Sequence, residues 1–173
     1  MAQTTRYALW LKPETAAEQQ LQAVIDTLAE RYRAPRFAPH MTLLGRLFGD
    51  EADLAAKTEM LAATLQKFPV SVTGFAGAPY YFRCFYAPVA SSPELRHAVD
   101  EASSQFKAGA GADFLPHLSL LYGQLHRDEK RQIPGIIGNA VPRSLEFDRL
   151  QLVRMSLSVS AWEVVAEHPL SHG

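Results

Sequence analysis

A single cysteine, Cys84, is all the thiol chemistry the chain has. It leaves no partner for an internal disulfide and no cysteine-rich zinc site, and a reducing cytosol is the expected compartment. Charge of one sign is also missing. Lys and Arg number 17 against 18 Asp and Glu, a net of −1. A sequence-independent nucleic-acid binder carries a basic surplus to neutralise phosphates, and this chain has none globally. No apolar run approaches the ~18–20 residues needed to span a bilayer. Residues 1–10 lack the charged-then-apolar order of a signal peptide. No linker or composition shift divides the 173 residues. With 47% hydrophobic and 20% charged residues, the expectation is one domain over 1–173, cytoplasmic and monomeric, with an ordinary core and no membrane.

Periodicity supplies the elements. Thr5–Leu11 reads as a strand. Glu14–Arg33 carries Leu21, Val24, Ile25, Leu28 and Tyr32 at helical spacing. A strand lies within Phe37–Leu47. Asp50 N-caps a second helix whose face runs through Leu54, Thr58, Leu61, Leu65 and Phe68 to Pro69. Val70–Ala78 and Tyr80–Val89 read as two strands. Ser92 and Pro93 open a third helix through Leu95, Val99, Ala102 and Phe106. A small-residue loop, a lid candidate, covers Lys107–Asp113. Phe114–Gly123 is a strand, and Asp128–Gln132 is a weak helix disturbed by Pro134. Leu145–Val153 and Ser158–Val165 are the last strands, joined at Met155–Ser158. The class is α+β, and its order suggests two similar halves.

One internal repeat carries the chemistry. Residues 37–44 read Phe-Ala-Pro-His-Met-Thr-Leu-Leu, and 114–121 read Phe-Leu-Pro-His-Leu-Ser-Leu-Leu. Five of the eight positions are identical, and Thr42 and Ser119 are a chemical match. A bare His-x-Ser/Thr is common by chance, but the same flanking Phe, Pro and Leu-Leu at the same offsets mark a structural repeat. In a strand, residues two apart face the same side. His40 therefore points with Thr42, and His117 with Ser119, while Met41, Leu43, Leu118 and Leu120 face the core. If a pseudo-twofold axis relates the halves, one cleft holds two imidazoles and two hydroxyls.

Two histidines near their ordinary pKa can hold complementary protonation states. One deprotonates a nucleophile while the other protonates a leaving group. The hydroxyls donate to two oxygens of a tetrahedral anion, for which phosphate is the obvious candidate. Packing is the bland reading of either histidine alone. Zinc binding is the other alternative, but it needs a third ligand and the nearest carboxylate, Asp113, falls in the loop.

The paired frames resemble the 2H phosphoesterase superfamily. Pro-Arg-Phe-Ala-Pro-His-Met-Thr (35–42), Pro-His-Leu-Ser-Leu-Leu-Tyr-Gly (116–123) and Trp-Glu-Val-Val-Ala-Glu-His-Pro-Leu (162–170) are similar to its plant and yeast cyclic phosphodiesterases. The resemblance implies a bilobal α+β fold, with antiparallel sheets of two pseudo-twofold-related lobes flanking a central cleft and helices outside. It implies hydrolysis without metal or other cofactor of nucleoside 2′,3′-cyclic phosphates to 2′-phosphates, and of ADP-ribose 1″,2″-cyclic phosphate. His40, Thr42, His117 and Ser119 fall on the catalytic frame, with His117 as base and His40 as acid. Tyr122, Trp10 and Phe82 fall on substrate-binding positions, where a base offers a flat face to aromatic rings. Arg36 and Arg46 flank the first motif, where they are candidates to touch phosphate, and solvation is the favoured reading of both. The rivals are a 2H enzyme acting on the 2′,3′-cyclic ends of RNA, favoured by basic residues around the cleft, and a nucleotide-binding module without catalysis.

Overall fold

The computed structural model describes residues 4–111 and 114–172. Among them lie seven strands and four helices. Strand β1 (Arg6–Pro13) leads to helix α1 (Thr15–Tyr32), strand β2 (Met41–Leu47), helix α2 (Glu51–Thr64) and strand β3 (Phe68–Ser71). Then follow β4 (Phe85–Pro88), α3 (Pro93–Phe106), β5 (His117–Leu121), α4 (Arg127–Ile137), β6 (Ser144–Met155) and β7 (Glu163–Pro169). None of the helices is long and apolar enough to cross a membrane.

All ladders are antiparallel. The larger sheet runs β2-β1-β6-β3, with β7 also paired to β6. The long β6 takes β3 against Ser144–Phe147 and β7 against Arg149–Arg154. The smaller sheet is β4-β5, extended by bridges from Val72 to Val89 and from Ala76 to Tyr86. The main core fills with Leu9, Leu11, Leu21, Leu28, Leu61, Phe147 and Leu150, all essentially inaccessible. Helix α1, which precedes the first motif, packs on β5, and α3, which precedes the second, packs on β2. Each motif strand is thus braced by the helix that precedes the other motif.

Several element limits differ from the sequence reading. Strand β2 lies inside the range expected of it, whereas β5 begins late, at His117, because Pro116 brings no N–H to a ladder. Helix α2 stops at Thr64, since Leu65 is already extended, and Phe68 instead opens β3 opposite Phe147 with rings 5.7 Å apart. The same apolar residue satisfies a helical face and a strand end, which periodicity cannot separate. Pro69 sits in β3, which pairs only with β6.

The expected strand over Tyr80–Val89 begins only at Phe85. Residues 81–83 form a 3-10 turn, with the Arg83 N–H on Tyr80 O at 3.1 Å and the Ala78 N–H on Arg83 O at 3.0 Å. The last strand starts five residues later than expected, because Val159–Ala161 is a second such turn, pinned by the Trp162 indole N–H on Ser156 O at 2.9 Å. Helix α4 runs through Pro134 rather than ending there. It is held by the Glu129 carboxylate accepting the His126 N–H at 2.9 Å and by the buried Ile133 and Ile137. In the expected loop, Lys107 caps α3 in the left-handed conformation (φ 50°), and Ala112 and Asp113 lie outside the described residues.

Candidate active site

The two motifs end up on different sheets and line one cleft. His40 immediately precedes β2 and Thr42 lies near its start, while His117 and Ser119 come from β5. Met41, Leu43, Leu118 and Leu120 are each at most 1% exposed, so the alternation expected of both strands holds. The cleft measures about 290 Å³. All seven residues singled out from the sequence, Trp10, His40, Thr42, Phe82, His117, Ser119 and Tyr122, border it.

The two imidazoles are anchored identically. His40 Nδ1 lies 2.8 Å from Ala38 O, and His117 Nδ1 lies 2.7 Å from Leu115 O. A carbonyl oxygen only accepts, so in both rings Nδ1 donates. That leaves each Nε2 with a lone pair when neutral, or a second proton when charged, and free to act on a ligand. Burial pushes the His40 pKa down to about 3. The Ala38 hydrogen bond opposes this, while the nearby Lys12 and His117 add to it. His117 is also lowered, mainly by burial and further by Arg83, with the Leu115 hydrogen bond opposing. Both shifts favour the neutral rings near pH 7.

The rings differ in their backing. His40 lies flat on Trp10, with centroids 3.6 Å apart and planes 8° apart. His117 meets Tyr86 edge-on, at 5.1 Å and 63°. Trp10 is paired with Thr42, and Tyr86 with Ser119, so the two aromatics hold equivalent register positions. Tyr86 was not legible as a site residue. Its strand lacks a sequence match to β1, and only the ladder reveals the equivalence.

Offset by the repeat, Gly45 corresponds to Tyr122. The Tyr122 ring is 3% exposed, stacked on Phe37 at 3.8 Å, and its pKa is raised chiefly by burial. At Gly45 the side is open, and an added Cβ would touch only Thr42 Cγ2 at 3.9 Å. One half of the cleft is thus walled and the other left clear. Ser119 Oγ donates to Phe82 O at 3.2 Å and must rotate to meet a ligand. Phe82 is 44% exposed at the rim, with Trp162 at 5.8 Å beside it.

Charge around the cleft departs from the sequence reading. Arg6, Arg46 and Arg83 all border it, and among the described residues no Asp or Glu does. Arg46 is exposed, as expected of a solvated residue, yet it faces the cleft from a left-handed backbone (φ 57°) at the end of the motif strand. Non-glycine residues in that conformation concentrate at functional sites. Arg36 points away, 3.7 Å from Asp26. Arg6, Arg83, Met155 and Trp162 were missed because they approach from β1, a turn and the β6–β7 connection, far from either motif in sequence. Trp162 alone had a signal, since it opens the C-terminal segment that carries the resemblance.

The chain is 23% identical over 167 residues to a cyclic phosphodiesterase of Arabidopsis thaliana, covering 92% of each. It shares the fold of E. coli LigT in its apo form, with a TM-score of 0.60 at 16% identity over 99% of this chain and 100% of that one. The TT0787 structure of Thermus thermophilus matches with a TM-score of 0.61 at 18% identity, covering 96% and 98%. A family model described as the 2′-5′ RNA ligase superfamily matches residues 13–158, most of the chain and both histidine motifs. The chain belongs to the 2′-5′ RNA ligase superfamily, the 2H phosphoesterases.

Proposed function

We propose that the chain is a cyclic phosphodiesterase that opens nucleoside 2′,3′-cyclic phosphates to 2′-phosphates and also takes ADP-ribose 1″,2″-cyclic phosphate, in a single domain of two pseudo-twofold-related lobes. The observation that carries this is the pair of imidazoles, each fixed through Nδ1 and free at Nε2, beside two hydroxyls in a cleft rimmed by arginines and, among the described residues, by no carboxylate. His117 takes a proton from water as its oxygen attacks phosphorus. His40 gives a proton to the ribose oxygen as the P–O bond breaks. Thr42 and Ser119 donate to the non-bridging oxygens, whose charge grows in the transition state.

The stacked indole supports this division of roles. Burial opposes charge on His40 by about 5 kcal/mol for a pKa of about 3. An imidazolium on the Trp10 face recovers up to about 2 kcal/mol. A phosphate anion some 4 Å away contributes about 4 kcal/mol at an intermediate dielectric. His40 thus charges when the substrate enters, which suits a general acid. His117, with an aromatic edge rather than a face against it, gains no such cation–π help.

Phe82 and Trp162 form the wall for a base or ribose, and Arg46 reaches the phosphate from the open side left by Gly45. LigT has been crystallised with 3′-AMP, ATP and NADP+, which is consistent with nucleotide ligands in a cleft of this kind. A second reading, action on cyclic-phosphate ends of RNA, is favoured by the three arginines at the rim.

The test is turnover, with EDTA present, of the four nucleoside 2′,3′-cyclic phosphates, ADP-ribose 1″,2″-cyclic phosphate and an oligonucleotide with a 2′,3′-cyclic end. The small substrates are expected to turn over with kcat/KM at least equal to that of the oligonucleotide. An oligonucleotide preferred tenfold or more selects the second reading. Binding of all of them without turnover leaves a nucleotide-binding module.

A further inference from the structure

Lys12 is the largest of the fully buried side chains, 1% exposed, and the proposed chemistry does not use it. Its ammonium donates to Pro39 O at 2.5 Å and stands 3.2 Å from Glu18. Glu18 also binds Arg149, which in turn donates to Pro13 O at 2.6 Å and to Asp148 at 3.0 Å. A buried ion pair seldom stabilises more than apolar residues of the same size would, so packing alone does not account for this cluster.

The repeat shows what Lys12 replaces. In the other half, Pro116 O accepts the Val89 backbone N–H at 2.9 Å, which extends the β4–β5 ladder up to His117. Trp10 opposite Thr42 corresponds to Tyr86 opposite Ser119. Three residues further on, Pro13 falls where Val89 falls, and Pro39 where Pro116 falls. Pro13 has no N–H to give. Pro39 is buried, and its carbonyl would otherwise lack this donor.

We propose that Lys12, held by Glu18 and Arg149, is a positioning residue for His40. Its ammonium supplies the hydrogen bond that Pro13 cannot make. It thereby fixes the Ala38–Pro39 strap whose other carbonyl, Ala38 O, receives the His40 Nδ1–H. The two catalytic frames are alike, but one is set by backbone and the other by a buried cation. The inference deepens the proposed function and rests on His40 being catalytic.

The experiment measures kcat, KM and melting temperature, with ¹⁵N NMR of the imidazoles, in wild type and Lys12→Met. The variant is expected to lose at least tenfold in kcat with KM within about twofold. His40 is expected to lose its fixed Nδ1–H tautomer while His117 keeps its own. Lys12→Arg, which restores a cation and an N–H donor, is expected to recover kcat to within about threefold of wild type. Leu61→Ala, a core change in α2 away from the cleft, controls for stability and is expected to lower the melting temperature while keeping kcat. If Lys12→Met does not fold, Lys12→Gln, whose shorter amide stays polar beside Glu18 but falls short of Pro39, carries the same expectation.

A folded variant with wild-type kcat and unchanged His40 signals overturns the proposal. So does a loss of activity that Leu61→Ala matches at equal melting temperature. If wild type hydrolyses no cyclic phosphate, the functional reading fails, and the His40 tautomer in Lys12→Met still decides whether Lys12 positions it.

Discussion

His40 and His117 share one tautomer and differ in what lies behind them, and two pH effects follow. For stability, a histidine whose folded pKa lies below its unfolded value of about 6.5 binds its proton more readily in the unfolded chain. The stability held by neutral His40 is full above about pH 6.5 and is lost as pH falls toward its folded value of about 3. The slope approaches about 1.4 kcal/mol per pH unit. Urea unfolding at a series of pH values should show that slope in wild type, and a shallower one in His40→Gln. Equal slopes would mean that His40 is not buried neutral. For activity, both free-enzyme histidines titrate below their ordinary value, yet the proposed chemistry needs one of them to carry a proton. The kcat/KM optimum is therefore expected below about pH 6.5, with the kcat profile displaced upward because the bound phosphate favours the imidazolium. A single ionisation limb in both profiles would contradict the pair.

At the scale of elements, the two motif segments are equivalent up to the point where Gly45 stands in place of Tyr122. Filling the open side should cost binding rather than folding, because an added Cβ at Gly45 meets only ordinary contact. Gly45→Tyr is expected to lower kcat/KM at least tenfold with little change in melting temperature, as measured by kinetics beside calorimetry. Helix α4 offers a stability test. Pro134 lacks the N–H that Lys130 O would accept, so Pro134→Ala is expected to raise stability by about 1–3 kcal/mol in denaturant unfolding. The motif strands, their inward and outward faces and helices α1 and α3 were legible because each rests on a repeat, a cap or an unbroken period. The rest was not. Phe68 fits two periods, the turns at 81–83 and 159–161 are held by local hydrogen bonds that leave no periodic trace, and buried Ile133 and Ile137 override Pro134. At the site, both histidines, both hydroxyls and three aromatics could be read. Tyr86, Lys12, Arg6 and Arg83 could not, because only the sheet register and the turns bring them to the histidines, whereas Arg46 could be read from its place beside the first motif.

Over the whole molecule a net charge of −1 conceals a cleft bordered by Arg6, Arg46 and Arg83 and, among the described residues, by no carboxylate. Anionic substrates should be drawn to it by a field that salt screens, since the Debye length shrinks from about 10 Å at 0.1 M to about 3 Å at 1 M. Raising ionic strength across that range is expected to increase KM several-fold with kcat nearly constant, and Arg46→Ala to flatten the dependence. A KM indifferent to salt would remove the arginines from binding. The two-histidine chemistry itself is tested most directly by single-turnover hydrolysis of a nucleoside 2′,3′-cyclic phosphate with EDTA present, comparing wild type with folded His40→Ala and His117→Ala. Each substitution is expected to slow the chemical step by about 10²–10⁴-fold. A folded variant of either histidine that retains the wild-type rate would contradict the paired mechanism.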